Sequence, residues 1–482
     1  MKKTTGVLAV IALAAGAYSG AAWYFGKQAQ QVIQAAVATT NQRLATTLGT
    51  GPNDLAVRLR VDRYERGVFS SSADYILEIN DGEGSALELR LQDALSHGPF
   101  PWEGVRNGSF EPLLALSRAR VVETPSTRAW VQSQQLGESP LLIETRVGFG
   151  GSGRSLWQFK PVTITKSDGV FSFSGGAVSV GFSNNASNSN VSGKFDSLAL
   201  SGREPGENLG ISGISITADT TTQAQGKVVS SSVVAIQRLV TDDPSFEDEI
   251  VIGDTKIAVS GEQDGNFIKG DVRYDFGSIQ VGSINLGAMA LGAGIDRFNL
   301  AELTALAADY DAIVAKQGHP DDLTQLDPAD QKRLNNRVLA VLASKPVIRI
   351  DPVLWKNDKG QSTASLQVDL QQPVASDATS IDTLLIRAVG QAKLDVSLSR
   401  AMVLRAAVQL QDNPEDAQQV EEFFGAMYDQ YIAELQQAGL VSVDDDTARV
   451  SIAYRDEQVQ LNGRPMPLDE FMGLMFGLLL VL

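Results

Sequence analysis

The chain has 482 residues, with 57 acidic against 40 basic side chains, a formal net charge of −17 and no cysteine. That balance argues against nucleic acid as a partner, because phosphate binding concentrates Lys and Arg, and against broad adhesion to anionic lipid surfaces. Without cysteine there is no disulfide, no thiolate metal site and no cysteine nucleophile.

Lys2 and Lys3 precede Thr4–Gly26, a run of 23 residues without a charge, and Lys27 follows it. At about 1.5 Å rise per residue this run is long enough to cross a hydrocarbon core of roughly 30 Å. A transmembrane anchor is therefore expected over residues 1–27. Leu8, Ile11 and Leu13 lie in its apolar body, and Trp23, Tyr24 and Phe25 form an aromatic cluster suited to the membrane–water boundary. A cleaved secretory signal is the competing reading, with Ala15-Gly16-Ala17 or Ser19-Gly20-Ala21 as its small-residue site, but the apolar run continues past both. Lysines ahead of the span favour a cytoplasmic start, so the bulk of the chain is expected in the periplasm of a bacterium, held on the inner membrane. A juxtamembrane amphipathic helix is expected over 28–51, from Val32, Ile33, Ala36, Val37, Leu44 and Leu48, with Gly49 and Gly51-Pro52 as its stop.

From 52 to 298 the pattern is short alternating runs separated by Gly, Ser, Asn and Asp, the signature of antiparallel strands with one buried face. Ala86–Leu91, Val170–Phe173, Ala177–Phe182, Ile211–Ala218 and Lys256–Ser260 are examples. Ser183–Asn190 reads as a solvent loop, and Ser278–Gly294 as a strand leading into a glycine-rich turn. A helical hairpin is expected over 299–345. Asn299 caps a first helix striped by Leu300, Leu303, Leu306, Tyr310, Ile313 and Val314 and stopping at Gly318, and Pro328 opens a second that ends before Pro346. The rest, 346–482, reads as an α+β region. A helix starting at Asn413-Pro414 carries the widest and most aromatic face of the chain: Phe423, Phe424, Met427, Tyr428 and Tyr431. That face must cover the sheet or a second copy of the protein. Arg449–Tyr454 and Gln458–Leu461 suggest a hairpin. The uncharged ending Phe471–Leu482 is too short to span a bilayer and reads as a buried helix or as a tail seeking a membrane or partner. The fold class expected is thus α+β and β-rich: a transmembrane helix, an elongated, largely antiparallel sheet, helical-hairpin insertions and a C-terminal helix.

Candidate chemistry is sparse. Gly148–Ser155 falls one residue short of a phosphate-binding loop, and the alternating Leu156–Val162 after it predicts a strand where that loop needs a helix. Only His97 and His319 are available as neutral-pH acid–base groups. His97 lies in the rigid turn His97-Gly98-Pro99-Phe100-Pro101 and His319 between two helices, so a hydrogen-bonded structural histidine and a solvent-facing one are expected. Asp444-Asp445-Asp446 and Asp264-Gly265-Asn266 lack the ordered spacing of a calcium loop and read as solvated turns. No enzyme activity and no cofactor are expected.

Several stretches carry a resemblance. They are Gly20–Lys27, Tyr64-Glu65-Arg66-Gly67-Val68-Phe69-Ser70-Ser71, Asp93–Phe100, Phe171–Gly176, Pro346–Asn357 and Leu461–Phe471. In this order, nearly end to end, they resemble the bacterial YdgA-like family of inner-membrane-associated proteins of unknown function. The resemblance implies a membrane-anchored periplasmic homodimer with no catalytic residues to carry over, and a structural role for Gly67, Phe69, His97, Gly98, Pro99 and Phe100. The architecture is more loosely similar to AsmA-like envelope proteins, whose groove-shaped sheet suits acyl chains. Two functions follow as expectations: a non-enzymatic envelope protein acting by self-association or partner binding, or a module that binds or transfers phospholipid.

Overall fold

The computed structural model describes residues 56–479 apart from 81–85, 125–127, 129–138, 166–168, 184–186, 203–207, 243–247, 318–325, 375–380 and 410–416, together with 37, 38 and 41. The expected anchor, with Leu8, Ile11, Leu13, Trp23, Tyr24 and Phe25, lies outside the described residues, as do most of the 28–51 segment and His319. Among the described residues no helix is long and apolar enough to cross a membrane.

The chain divides into two compact units, Met1–Thr220 and Thr221–Leu482. The first is a β-meander. Its strands are β1 (Ala56–Arg66), β2 (Ser70–Asn80), β3 (Ala86–His97), β4 (Ala115–Val122), β5 (Leu141–Val147), β6 (Gly153–Phe159), β7 (Val162–Thr165), β8 (Gly169–Phe173), β9 (Gly176–Phe182), β10 (Asn188–Gly202) and β11 (Asn208–Thr222), which runs to the junction. Each of β1 to β5 pairs antiparallel with the next. β6 then pairs with β9, and β7 with β8. Both β9 and β8 lie along β10, so β8 and β9 act as one strand broken at Ser174-Gly175. A one-turn helix, α1 (Trp102–Arg106), sits between β3 and β4.

The second unit continues with β12 (Val228–Asp242), β13 (Ile250–Asp264), β14 (Phe267–Val281), β15 (Ile284–Asn299), α2 (Leu300–Gln317), α3 (Pro328–Leu342), β16 (Val347–Lys356), β17 (Gln361–Leu370), α4 (Ile381–Arg387), β18 (Val389–Ser399), α5 (Arg400–Gln409), α6 (Ala417–Gln437), β19 (Ser442–Asp444), β20 (Thr447–Arg455), β21 (Gln458–Leu461), β22 (Arg464–Pro467) and α7 (Leu468–Leu479). Strands β12 to β18 form an antiparallel meander, β20 joins β18, and β21 and β22 extend it.

Local chemistry explains the helix ends. Asn299 Oδ1 accepts from the amides of Ala301 and Glu302, and Asp327 Oδ1 from those of Ala329 and Asp330, satisfying amides that have no intrahelical partner. α2 and α3 pack through Ile313, Leu326 and Leu334. α3 and α4 share Leu339, Leu342, Leu384 and Ala388. α6 covers Val441 and Ala448 with Ile432.

Three local readings need correction. Asn188–Asn190 belong to β10 rather than to a loop, because β9 supplies a paired edge there and Gly181 leaves room for the Asn190 side chain. Ser278–Gly294 is not one strand and a turn. It spans the end of β14, a tight turn at Gly282 (φ 57°) and most of β15. Gly292 lies inside β15, opposite a bulge in β16, where a Cβ would stand 2.3 Å from the Asp351 carbonyl oxygen. Helices α4 and α5 were not anticipated, since both are short and lack a long apolar stripe.

Candidate functional site

In the first unit the pleat places Ser71, Ala73 and Tyr75 of β2, Asp93, Leu95 and His97 of β3, and Ala115, Ser117 and Ala119 of β4 on one face. Polar groups interrupt an otherwise apolar register, Leu87, Leu89, Leu91, Asp93, Leu95, His97. His97 is 1 % exposed and Ser71 6 %. Ser71 Oγ and His97 Nε2 share a 3.0 Å hydrogen bond, and the His97 amide donates to the Phe69 carbonyl at 2.9 Å. Asp93 accepts from Ser117 Oγ at 2.8 Å and from Tyr75 Oη at 3.3 Å. Burial pushes its carboxyl above the ordinary range, against the hydrogen bonds from Ser117, Tyr75 and the Arg118 amide. Burial, reinforced by Asp93, also raises the Tyr75 phenol.

Although Ser71 and His97 are the residue types of a nucleophile pair, an enclosed serine gives a substrate no approach. The pair instead ties β2 to β3, each partner satisfying the other inside the sheet. The structure brings the motif residues Gly67, Phe69, His97, Gly98, Pro99 and Phe100 together at one end of the meander. The Gly67 amide donates to the Ser70 carbonyl, and the Gly98 amide reaches the Leu114 carbonyl at 3.4 Å. Sequence reasoning placed Ser71 and Asp93 in motif stretches without a role for either, and missed Tyr75 and Ser117. The signal for Asp93 was a carboxylate in the apolar phase of an alternating strand.

The remaining candidates resolve into turns. Gly148–Ser152 closes the β5–β6 hairpin through Gly148 N–H to Ser152 O at 2.9 Å. Asp444 pairs with Arg449 at 2.5 Å, and Asp446 Oδ2 accepts from the Ala401 amide at the start of α5.

On α6 the aromatic face divides. Tyr428 is half-buried and its Oη donates to the Leu398 carbonyl at 3.3 Å, while Phe424 is half-buried with its ring 5.6 Å from that of Phe423. Phe423, Met427 and Tyr431, at helical spacing of four, remain exposed.

The largest feature is in the second unit. Registers across its sheet place Val259, Val272, Ala293, Ile350, Leu366, Leu394 and Ile452 in one row on one face. The adjacent row holds Ile257, Tyr274, Leu291, Val353, Ala364, Val396 and Val450, and the row on the other side includes Ile295, Ile348, Val368, Ala392 and Tyr454. The bulge at Asp351-Pro352 keeps Ile350 and Val353 on the same face. The opposite face carries the ion pairs Arg273–Asp275, Arg349–Asp271 and Lys393–Asp395. Helix α6 covers Ala448 and reaches Val450 at one end, and Leu370 meets the α3–α4 cluster at the other. Between them the apolar side chains are only partly covered: Leu291 is 47 % exposed and Val259 45 %. Seven strands about 4.8 Å apart and three rows about 6.8 Å apart make a face of roughly 29 by 14 Å, about 400 Å² before the covered ends are taken off, within the range of the largest patches that monomers leave open. A smaller apolar face in the first unit holds Trp157, Val178, Val180 and the ring cluster Phe159, Phe173 and Phe195.

These features define a β-rich protein of amphipathic meanders whose first unit holds the paired buried polar groups Ser71–His97 and Asp93–Ser117. A family model described as "Bacterial protein of unknown function (DUF945)" matches residues 1–469, and the chain belongs to that family. It is similar to protein YdgA of Escherichia coli K12, 22 % identical over 98 % of this chain and 97 % of YdgA. It is similar also to the uncharacterized protein YihF of the same organism, 23 % identical over 98 % of each chain. An uncharacterized Haemophilus influenzae protein is 24 % identical over 32 % of this chain and 41 % of its own length. No solved structure matches.

Proposed function

We propose that the protein is a non-enzymatic, membrane-anchored envelope protein that binds phospholipid acyl chains on the apolar sheet face of its second unit. One observation carries this reading: seven adjacent strands turn mostly aliphatic side chains to one face, where Val259, Leu291, Ile348, Ile350 and Val353 are 37–47 % exposed and those of β17, β18 and β20 partly buried, while the other face is ion-paired. The backbone donors and acceptors of this sheet are used in its own ladders, so the face offers dispersion and burial with little directional bonding. Hydrocarbon suits such a surface. One leaflet's chains span about half of a roughly 30 Å hydrocarbon core, so the patch is wide enough to lay one down. The net charge of −17 favours recognition through the tail over capture of anionic headgroups.

Native mass spectrometry of the full chain released from detergent tests this. Phospholipid adducts that survive removal of the detergent are the expected result. A lipid-free spectrum after purification from phospholipid-containing membranes refutes it. A second reading, self-association, is favoured by the exposed Phe423–Met427–Tyr431 stripe of α6. It expects a dimer in that spectrum, lost in Phe423→Ser/Met427→Ser.

A further inference from the structure

Three consecutive turns of the first meander lie at one end: residues 67–69 between β1 and β2, 98–114 between β3 and β4, and 148–152 between β5 and β6. The registers Arg66↔Ser71, His97↔Ala115, Ala115↔Val147 and Val147↔Gly153 place them side by side. Together they expose Val68, Phe69, Phe100, Trp102, Phe110 and Phe149. Phe110 and Trp102 are the most open, at 71 % and 69 %. The segment that links β9 to β10 has the sequence Ser-Asn-Asn-Ala-Ser and offers no large apolar residue, so among the described residues these apolar tips belong to three neighbouring turns.

We propose that this aromatic rim seats the protein on the lipid bilayer beside its own anchor. The inference rests on the reading of residues 1–27 as a membrane span and is separate from acyl-chain binding by the second unit. Tryptophan and large aromatic rings at loop tips suit the interfacial layer, where an apolar body and a polar edge are both accommodated. The charge is compatible: Arg118–Glu103 and Arg146–Glu111 are ion-paired, and Arg106 and Arg154 stand at the same end in addition. Arginine stems can lie along apolar surface with the guanidinium at the headgroup level.

Chain length is also compatible. The Asn41 side chain grips Leu59 of β1, donating to its carbonyl at 2.7 Å and accepting from its amide at 2.8 Å. From Leu59 to Gly67 the strand runs about 26 Å toward the rim. Lys27, which ends the uncharged run, precedes Asn41 by a stretch whose sequence predicts a helix, with a rise of about 21 Å. That rise is comparable with the distance from Leu59 to the rim.

Because the chain has no cysteine, Phe110→Cys and Gln158→Cys each accept one polarity-sensitive dye. Gln158 is exposed on β6, about 17 Å from Gly153 at the rim end of that strand. The labelled full chains are reconstituted into phosphatidylcholine vesicles containing chain-brominated phosphatidylcholine. The expected result is about a twofold loss of emission at position 110, with a blue shift, and neither change at 158. Phe149→Cys on the adjacent turn should behave as position 110. Chains that float with the vesicles but show equal emission at both sites overturn the rim assignment and leave the anchor standing. Chains that fail to float overturn both.

Discussion

The apolar face of the second unit can be tested with one pair of substitutions, Leu291→Ser and Val353→Ser, whose backbones pair across β15 and β16. Full burial of a Leu or Val side chain is worth about 2 kcal/mol. Leu291 is 47 % exposed and Val353 37 %, so roughly 1 kcal/mol and 0.8 kcal/mol are left for a ligand to gain by covering them. Together these sum to about 1.8 kcal/mol, or close to a 20-fold loss of affinity for a bound acyl chain. The portions already buried give the fold a comparable amount, so the double variant should also melt a few degrees lower. Binding is read by titrating a fluorescent phosphatidylcholine analogue into detergent-solubilised full chain, with folding checked by circular dichroism. Arg273→Gln on the opposite face breaks an exposed ion pair of little energetic weight and should leave binding unchanged. A folded double variant whose affinity stays within about twofold of the parent would sink the assignment of the face.

Further outcomes follow from the buried groups and from the bulge. His97→Ala leaves a void and an unpaired Ser71 hydroxyl and should cost about 3 kcal/mol in chemical denaturation. Lipid retention should persist under conditions where the variant is folded; selective loss would mean that His97 acts directly. Asp93→Asn removes a carboxyl whose folded pKa is raised by burial. Such a group binds its proton more tightly in the folded state, so its favourable contribution is complete below the unfolded pKa and fades as pH rises through the folded value. The variant should therefore melt higher than the parent at pH 7 and no higher near pH 3, and the opposite trend would contradict the burial argument. Gly292→Ala forces a Cβ against the Asp351 carbonyl and should destabilise by about 2 kcal/mol. An unchanged denaturation midpoint would show that the bulge relaxes freely.

Much of the strand and helix content was legible along the chain, because period-two alternation and helix caps are local signals. Asn299, Asp327 and Pro328 open their helices through contacts within a few residues, and the β5–β6 and β20–β21 hairpins announce themselves by glycine or by turn residues between alternating runs. Pairing moved the edges. Asn188–Asn190 became strand because β9 offered a partner, and the glycines of β15 became strand interior because β16 bulges against them.

The sequence by itself determined that this is a β-rich, cysteine-free chain with scarce acid–base chemistry and membership of its family, since composition and ordered motifs need no three-dimensional information. Only the tertiary structure decided which alternating runs share a face. Val259, Leu291, Ile350 and Leu394 lie far apart in the chain, and it is the antiparallel register, with its bulge at Asp351-Pro352, that gathers them into one open apolar surface. The same holds for Ser71 with His97 and for Asp93 with Ser117. Each pair is brought into contact by neighbouring strands, because hydrogen-bonded ladders fix register over distances that no local propensity encodes.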